Sequence, residues 1–109
     1  MSPWSATLAL SVCMTAALQA AGQAPEPARQ GELRHMLQQD CGSCHGLTFK
    51  GGLGPPLLAS SLSGKPAEFL VQTILDGRPG TAMPPWRPLI SETDARWMVE
   101  QLQSGEATK

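Results

Sequence analysis

Cys41-Gly42-Ser43-Cys44-His45 is the group of residues in this chain best equipped for chemistry. Its two thiols stand about one helical turn apart, and an imidazole follows the second directly. The C-x-x-C-H order is the attachment signal of a c-type haem. Both thiols can add to the two vinyl groups on one edge of the porphyrin, which leaves the histidine under the iron as proximal ligand. A Cys-x-x-Cys pair also serves thioredoxin-like exchange, but that needs a βαβ context, and no convincing strand is readable here. A structural zinc site needs four ligands, and besides the cysteines the chain offers only His35 and His45. The adjacent histidine favours haem, with Cys41 and Cys44 as attachment points and His45 on the metal.

A haem that carries electrons needs a second axial ligand. His35 and Met36 precede the motif on the same expected helix and would have to reach round the ring edge. Met98 lies in a helical apolar stripe and reads as core. Met83 differs: it sits in Gly77-Arg-Pro-Gly-Thr-Ala-Met-Pro-Pro-Trp86, a Gly/Pro loop without apolar periodicity. The alternative is a methionine merely exposed in a loop. Pro84 and Pro85 fix the backbone, however, and lower the entropy cost of holding a thioether in place. Met83 is the expected distal ligand, and Met/His ligation raises the reduction potential and closes the iron to small ligands.

Three helices are expected to position these groups. Gln30 to Asp40 carries Leu33, Met36, Leu37 and Cys41 on one stripe that leads into the motif, and Gly46 ends the turn. Leu47 to Pro56 holds three Gly and two Pro and reads as loop. Pro66 to Asp76 has Pro66 in a first turn, Leu70, Ile74 and Leu75 as a face, and Gly77 after its end. The last helix opens on Ser91-Glu-Thr-Asp94, a capping-box-like pattern. It buries Ala95, Met98, Val99 and Leu102 and stops at Gly105. The expected fold is all-α: three short helices and long loops around one covalent haem.

Composition agrees with such a fold. The chain has 109 residues, 41% hydrophobic and 16% charged, enough for one small domain and too apolar for a disordered segment. A net charge of −1 excludes an electrostatic nucleic-acid binder. Gly 11, Pro 10, Phe 2 and no Tyr predict a thin side-chain core, so a macrocycle must replace part of it. Residues 1–24 carry no charged side chain and read as a signal peptide, with cleavage near 20–24. No Lys or Arg precedes the apolar run, and a buried or anchoring helix is the alternative. A lipoprotein reading through Cys13 is weaker, because Val12 stands where a small residue is needed. Residues 25–109 then form a single domain, and Ala24 to Ala28 reads as a short stiff lead-in. Once the signal is removed, no membrane span remains.

Cys41-x-x-Cys44-His45-Gly46, then Gly54-Pro55-Pro56-Leu57, Met83-Pro84 and a capped last helix resemble, in that order, the class I c-type cytochromes, over roughly residues 30–104. The resemblance implies that the Pro55 carbonyl accepts a hydrogen bond from the proximal His45. This chain has Leu33 where the family usually has a glycine at the helix crossing, and Gln101 where it often has an aromatic. The crossing must therefore pack differently, with Trp97 as a candidate. The stretches Leu75–Trp86 and Gly51–Leu57 are further similar to the NirC-type small cytochromes of denitrification, and to the haem c domains of cytochrome cd type nitrite reductases. That similarity implies a periplasmic carrier supplying electrons to nitrite reductase or to maturation of its d-type haem.

The leading reading is an electron carrier with no catalytic residue. The rivals are a maturation factor and a haem sensor or enzyme with an open distal site. From Gly77 to Ser91 the only charges are Arg78 and Arg87, so this loop, with Trp86 as an apolar anchor, is the expected docking surface. Equally, either arginine can pair with a haem propionate and Trp86 can pack on the ring.

Overall fold

The computed structural model describes residues 24–109 and, in isolation, residue 3. The signal segment expected over 1–24 therefore lies outside the described residues, except for Pro3 and Ala24.

The helical chain starts earlier and ends later than its apolar stripe suggests. Pro27 occupies the first turn, where its missing N–H costs nothing, and α1 runs Pro27–Met36. It continues without a break through a π turn, Leu37–Cys41, into α2, Gly42–His45. The lead-in read at 24–28 is thus already helix from Pro27. A single-turn helix, α3 (Ala59–Leu62), is followed by α4 (Ala67–Asp76) and α5 (Glu92–Ser104). A short 3₁₀ turn, Glu106–Thr108, closes the chain. Pro66 is the residue flanking α4 rather than part of its first turn. No strand occurs among the described residues, so the fold is all-α as expected.

α4 packs against α5, and the two share the core with α1. Ala95, Met98, Val99 and Leu102 of α5 are all buried, and Met98 is 1% exposed, which makes it core. On α4 the buried pair is Val71 and Leu75, while Leu70 and Ile74 are half-buried. The sequence stripe missed Val71 because both i, i+4 pairs on this helix are apolar, and only the partner helix decides which turns inward. Leu33 is fully buried. Trp97 is buried as well, and the Arg34 guanidinium lies 5.2 Å over its ring. This cation–π contact joins α1 to α5.

Asp94 ties the start of α5 to α1. Its backbone N–H donates to Ser91 Oγ (3.0 Å), and its Oδ2 accepts from the Ser91 N–H (3.1 Å), a complete capping box. The same Oδ2 accepts from Arg29 Nε (3.2 Å) and Nη2 (2.9 Å), and Arg29 Nη2 also reaches the Leu89 carbonyl (3.0 Å). Burial pushes the Asp94 carboxyl up, but the Arg29 guanidinium and the Ser91 groups outweigh it and hold it below its ordinary value. A carboxylate depressed on folding adds stability above its unfolded pKa of about 4 and loses it as pH falls through the lower folded value. Asp94→Asn should therefore cost about 1–2 kcal/mol at neutral pH. The gap to wild type should narrow as pH falls through the lowered folded value, and denaturant unfolding across the acid range measures both.

Candidate functional site

Helix α2 ends at Gly46, and the chain folds back over the helix end it has just left. Backbone bonds hold this return: Gly51 N–H to the His45 carbonyl (2.8 Å), Gly54 N–H to the Cys44 carbonyl (2.8 Å) and Phe49 N–H to the Gly46 carbonyl (2.9 Å). Leu57 N–H then donates to the Phe49 carbonyl (2.9 Å). Phe49 has φ 58, a strained value for a residue with a side chain, yet its ring is 2% exposed in the core. The ring anchors the loop read over Leu47 to Pro56.

This return delivers Pro55 to the imidazole. His45 Nδ1 lies 2.7 Å from the Pro55 carbonyl oxygen. A carbonyl can only accept, so Nδ1 is the donor, and in the neutral ring Nε2 holds the lone pair. The ring also rests against Gly54, where a Cβ would stand 2.7 Å from both His45 Nδ1 and Cε1. Only glycine allows that approach. The signal for it was present in Gly54-Pro55, but the contact is between residues nine apart and is set by the loop.

Cys41 and Cys44 are free thiols. Burial, with a smaller contribution from the Asp40 charge, pushes the Cys41 thiol up to about 11, so it is protonated at neutral pH. Cys44 is exposed. The helix thus carries two thiols and an imidazole with a free Nε2 within five residues, a donor set suited to covalent attachment plus metal ligation.

Met83 belongs to a second, separately braced loop. The Arg78 N–H donates to the Met83 carbonyl (3.2 Å), and Thr81 Oγ1 accepts from the Met83 N–H (3.3 Å). Gly77, at φ 68, brings its α-carbon against this segment, and a Cβ there would meet the Met83 oxygen at 2.7 Å. The loop rejoins the end of α4 through Trp86 N–H to the Ile74 carbonyl (3.1 Å) and Arg87 N–H to the Leu75 carbonyl (3.0 Å). The structure therefore gathers Cys41, Cys44, His45 and Pro55 into one cluster and puts Met83 on another. Among the described residues no hydrogen bond joins the two loops.

The docking surface expected on this second loop changes. Arg87 is bound by Asp76 through Nε (3.0 Å) and Nη2 (2.8 Å), which cancels its charge locally. Trp86 is half-buried against the core and holds the loop in place instead of standing free as an anchor. Arg78 remains as the loop's exposed cation.

Gly54→Ala should drive the imidazole off Pro55. The expected result is loss of the slowly exchanging Nδ1–H proton resonance of His45 with the helical signals retained. A resonance that persists unchanged would refute the contact.

Residues 28–101 match the family model described as cytochrome c oxidase, cbb3-type, subunit III. Cytochrome c55X of Paracoccus denitrificans is 54% identical over 101 residues, which cover 93% of this chain and 97% of that protein. A solved structure of the c-type cytochrome NirC matches with a TM-score of 0.76 at 56% identity, over 78% of this chain and 100% of that one. Dihydro-haem d1 dehydrogenase NirN, solved in complex with DHE, is similar over 63% of this chain but 15% of its own, at 35% identity and a TM-score of 0.59. With a C-x-x-C-H helix whose histidine is oriented by a proline carbonyl, and with cytochrome c55X and NirC matched over nearly their whole length, the chain belongs to the c-type cytochromes, the haem-binding electron carriers.

Proposed function

We propose that this protein is an exported carrier with one covalent haem c, held through thioether links to Cys41 and Cys44. His45 Nε2 and the Met83 sulfur would hold its iron, and Pro55 orients the imidazole. The observation that carries the reading is the 2.7 Å bond from His45 Nδ1 to Pro55, which leaves Nε2 as the only ring nitrogen able to ligate. The residues fit the group: both thiols are free, and Gly54, lacking a side chain, lets the imidazole sit against the loop with Nε2 unbonded. When bound, the haem supplies a one-electron iron couple.

Every other contribution comes from the chain. The hydrogen bond to Pro55 keeps the ring from turning. The hydrogen-bonded Met83 loop limits how far the thioether can move, so that it would be held ready to ligate. No residue is given a catalytic role. Export is the natural setting, since residues 1–24 read as a signal peptide, and no helix among the described residues is long and apolar enough to cross a membrane.

The partner we infer is a nitrite reductase of the cytochrome cd type, with this protein as its electron donor. The likeness to NirC supports the denitrification setting. A second reading, electron transfer during maturation of the reductase's d-type haem, is favoured by the likeness to a dihydro-haem d1 dehydrogenase. Stopped-flow oxidation of the reduced protein by mature reductase separates them: rapid transfer supports the donor role, and transfer only to the immature enzyme supports the second.

Two sets of variants test the site. Cys44→Ala should cut the yield of covalently loaded protein by at least about tenfold, because cofactor binding is coupled to folding. A normal yield would sink the attachment. Met83→Ala should abolish the weak ferric charge-transfer band of a methionine–iron bond, lower the reduction potential and admit CO to the ferrous iron. Met98→Ala should keep the band while losing about 2–5 kcal/mol of stability as a core truncation. The reverse pattern would reassign the ligand.

A further inference from the structure

The helix that carries the C-x-x-C-H group is not uniformly wound. Between Leu37 and Cys41 it is a π turn, and the Gly42 N–H donates to the carbonyl of Leu37, five residues back. A single π turn is one residue more than an α-helix needs for the same span. Leu33 and Leu37, fully or almost fully buried, fix the phase of the helix before it. The Nδ1 bond to Pro55 and the backbone bonds to the His45 and Cys44 carbonyls fix the phase after it.

Those two phases do not agree on a regular helix. His45 is eight residues after Leu37. At about 100° per residue an unbroken α-helix would place it about 80° off the Leu37 direction. With one residue absorbed in the π turn it falls within about 20° of that direction, and within about 20° of Leu33 as well. Nothing in Leu37-Gln-Gln-Asp-Cys41 favours a π turn by propensity, and Gln38, Gln39 and Asp40 are all exposed. The mismatch between the two ends selects it.

We propose that the π turn at Leu37–Cys41 is a positioning element, which turns His45 onto the buried face of the helix so that its free Nε2 addresses the same side as the core. This rests on the proposed role of His45 as proximal ligand. It has an unusual consequence. A deletion inside a helix next to a ligand ordinarily misdirects the ligand by about 100°. Here deletion of Gln39 converts the π turn into α-helix and leaves the phase of His45 where it was. Insertion of one residue at the same place does the opposite.

The test uses the full chain produced with haem c maturation. Wild type, a Gln39 deletion, an alanine inserted between Gln38 and Gln39, and Gln39→Ala as a length-neutral control are compared for covalent haem per polypeptide and for the ferric spectrum. The deletion and Gln39→Ala should stay within about twofold of wild type, and the insertion should lose about tenfold or more, since a site this close to its core tolerates about 10–20° of misdirection. In wild-type holoprotein, hydrogen-bond scalar couplings should link the Gly42 N–H to the Leu37 carbonyl. A deletion as damaging as the insertion, a tolerated insertion, or a coupling from Gly42 to Gln38 instead would each overturn the inference. Wild type without covalent haem would instead overturn the reading of the site on which it rests.

Discussion

The hydrogen bond from His45 to the carbonyl of Pro55 constrains more of this small protein than any packing contact. It sets a tautomer, and a tautomer decides which nitrogen is available for coordination. To keep it, the chain must bring residue 55 back over residue 45, and it can do so because Gly54 lets the backbone press against the ring. The return is in turn held by bonds to the helix end itself. The helix before it has to accept whatever direction this assembly imposes, and the π turn is where it does so. Cause therefore runs from the returning loop backwards into the helix.

The second loop is built on the same plan with different parts. Both loops are bound back to a helix C-terminus, one to α2 and one to α4, whose last carbonyls lack partners within the helix. Each loop satisfies those groups with its own N–H donors and thereby acquires a fixed position. Orphan carbonyls, which elsewhere are capped by a single glycine or by water, here hold two functional loops. This explains how so much of a Gly- and Pro-rich chain is ordered with few aromatic residues in its core.

What could be read from the sequence was local or periodic. The C-x-x-C-H group, the capping box at Ser91 and Asp94, and the buried stripe of α5 need only residues within a few turns of one another. The braced Met83 loop was visible in its Gly and Pro content. What could not be read depends on distant partners. Arg29 and Asp94 are 65 residues apart, and neither residue type announces the other. Arg87 looked like free charge because Asp76, its partner, belongs to a helix whose end had to be placed first. Val71 rather than Leu70 or Ile74 faces inward because α5 lies there. The π turn is the extreme case, since it is required only by the disagreement of two ends.

Phe49 combines two opposed requirements at one position. Its backbone sits at φ 58, which costs a residue with a side chain roughly 1–2 kcal/mol, while burying its ring returns roughly 1.5–3 kcal/mol. Glycine would relieve the backbone and forfeit the ring; any other side chain keeps the strain. The loop's attachment is thus a small difference between larger opposing terms, unlike the attachment of α4 to α5, where the apolar contacts carry no such penalty. Subglobal opening is drawn from segments of this kind. The Gly51, Gly54 and Leu57 N–H groups all bond within this return, so an opening of residues 46–57 would release the three together in native-state hydrogen exchange.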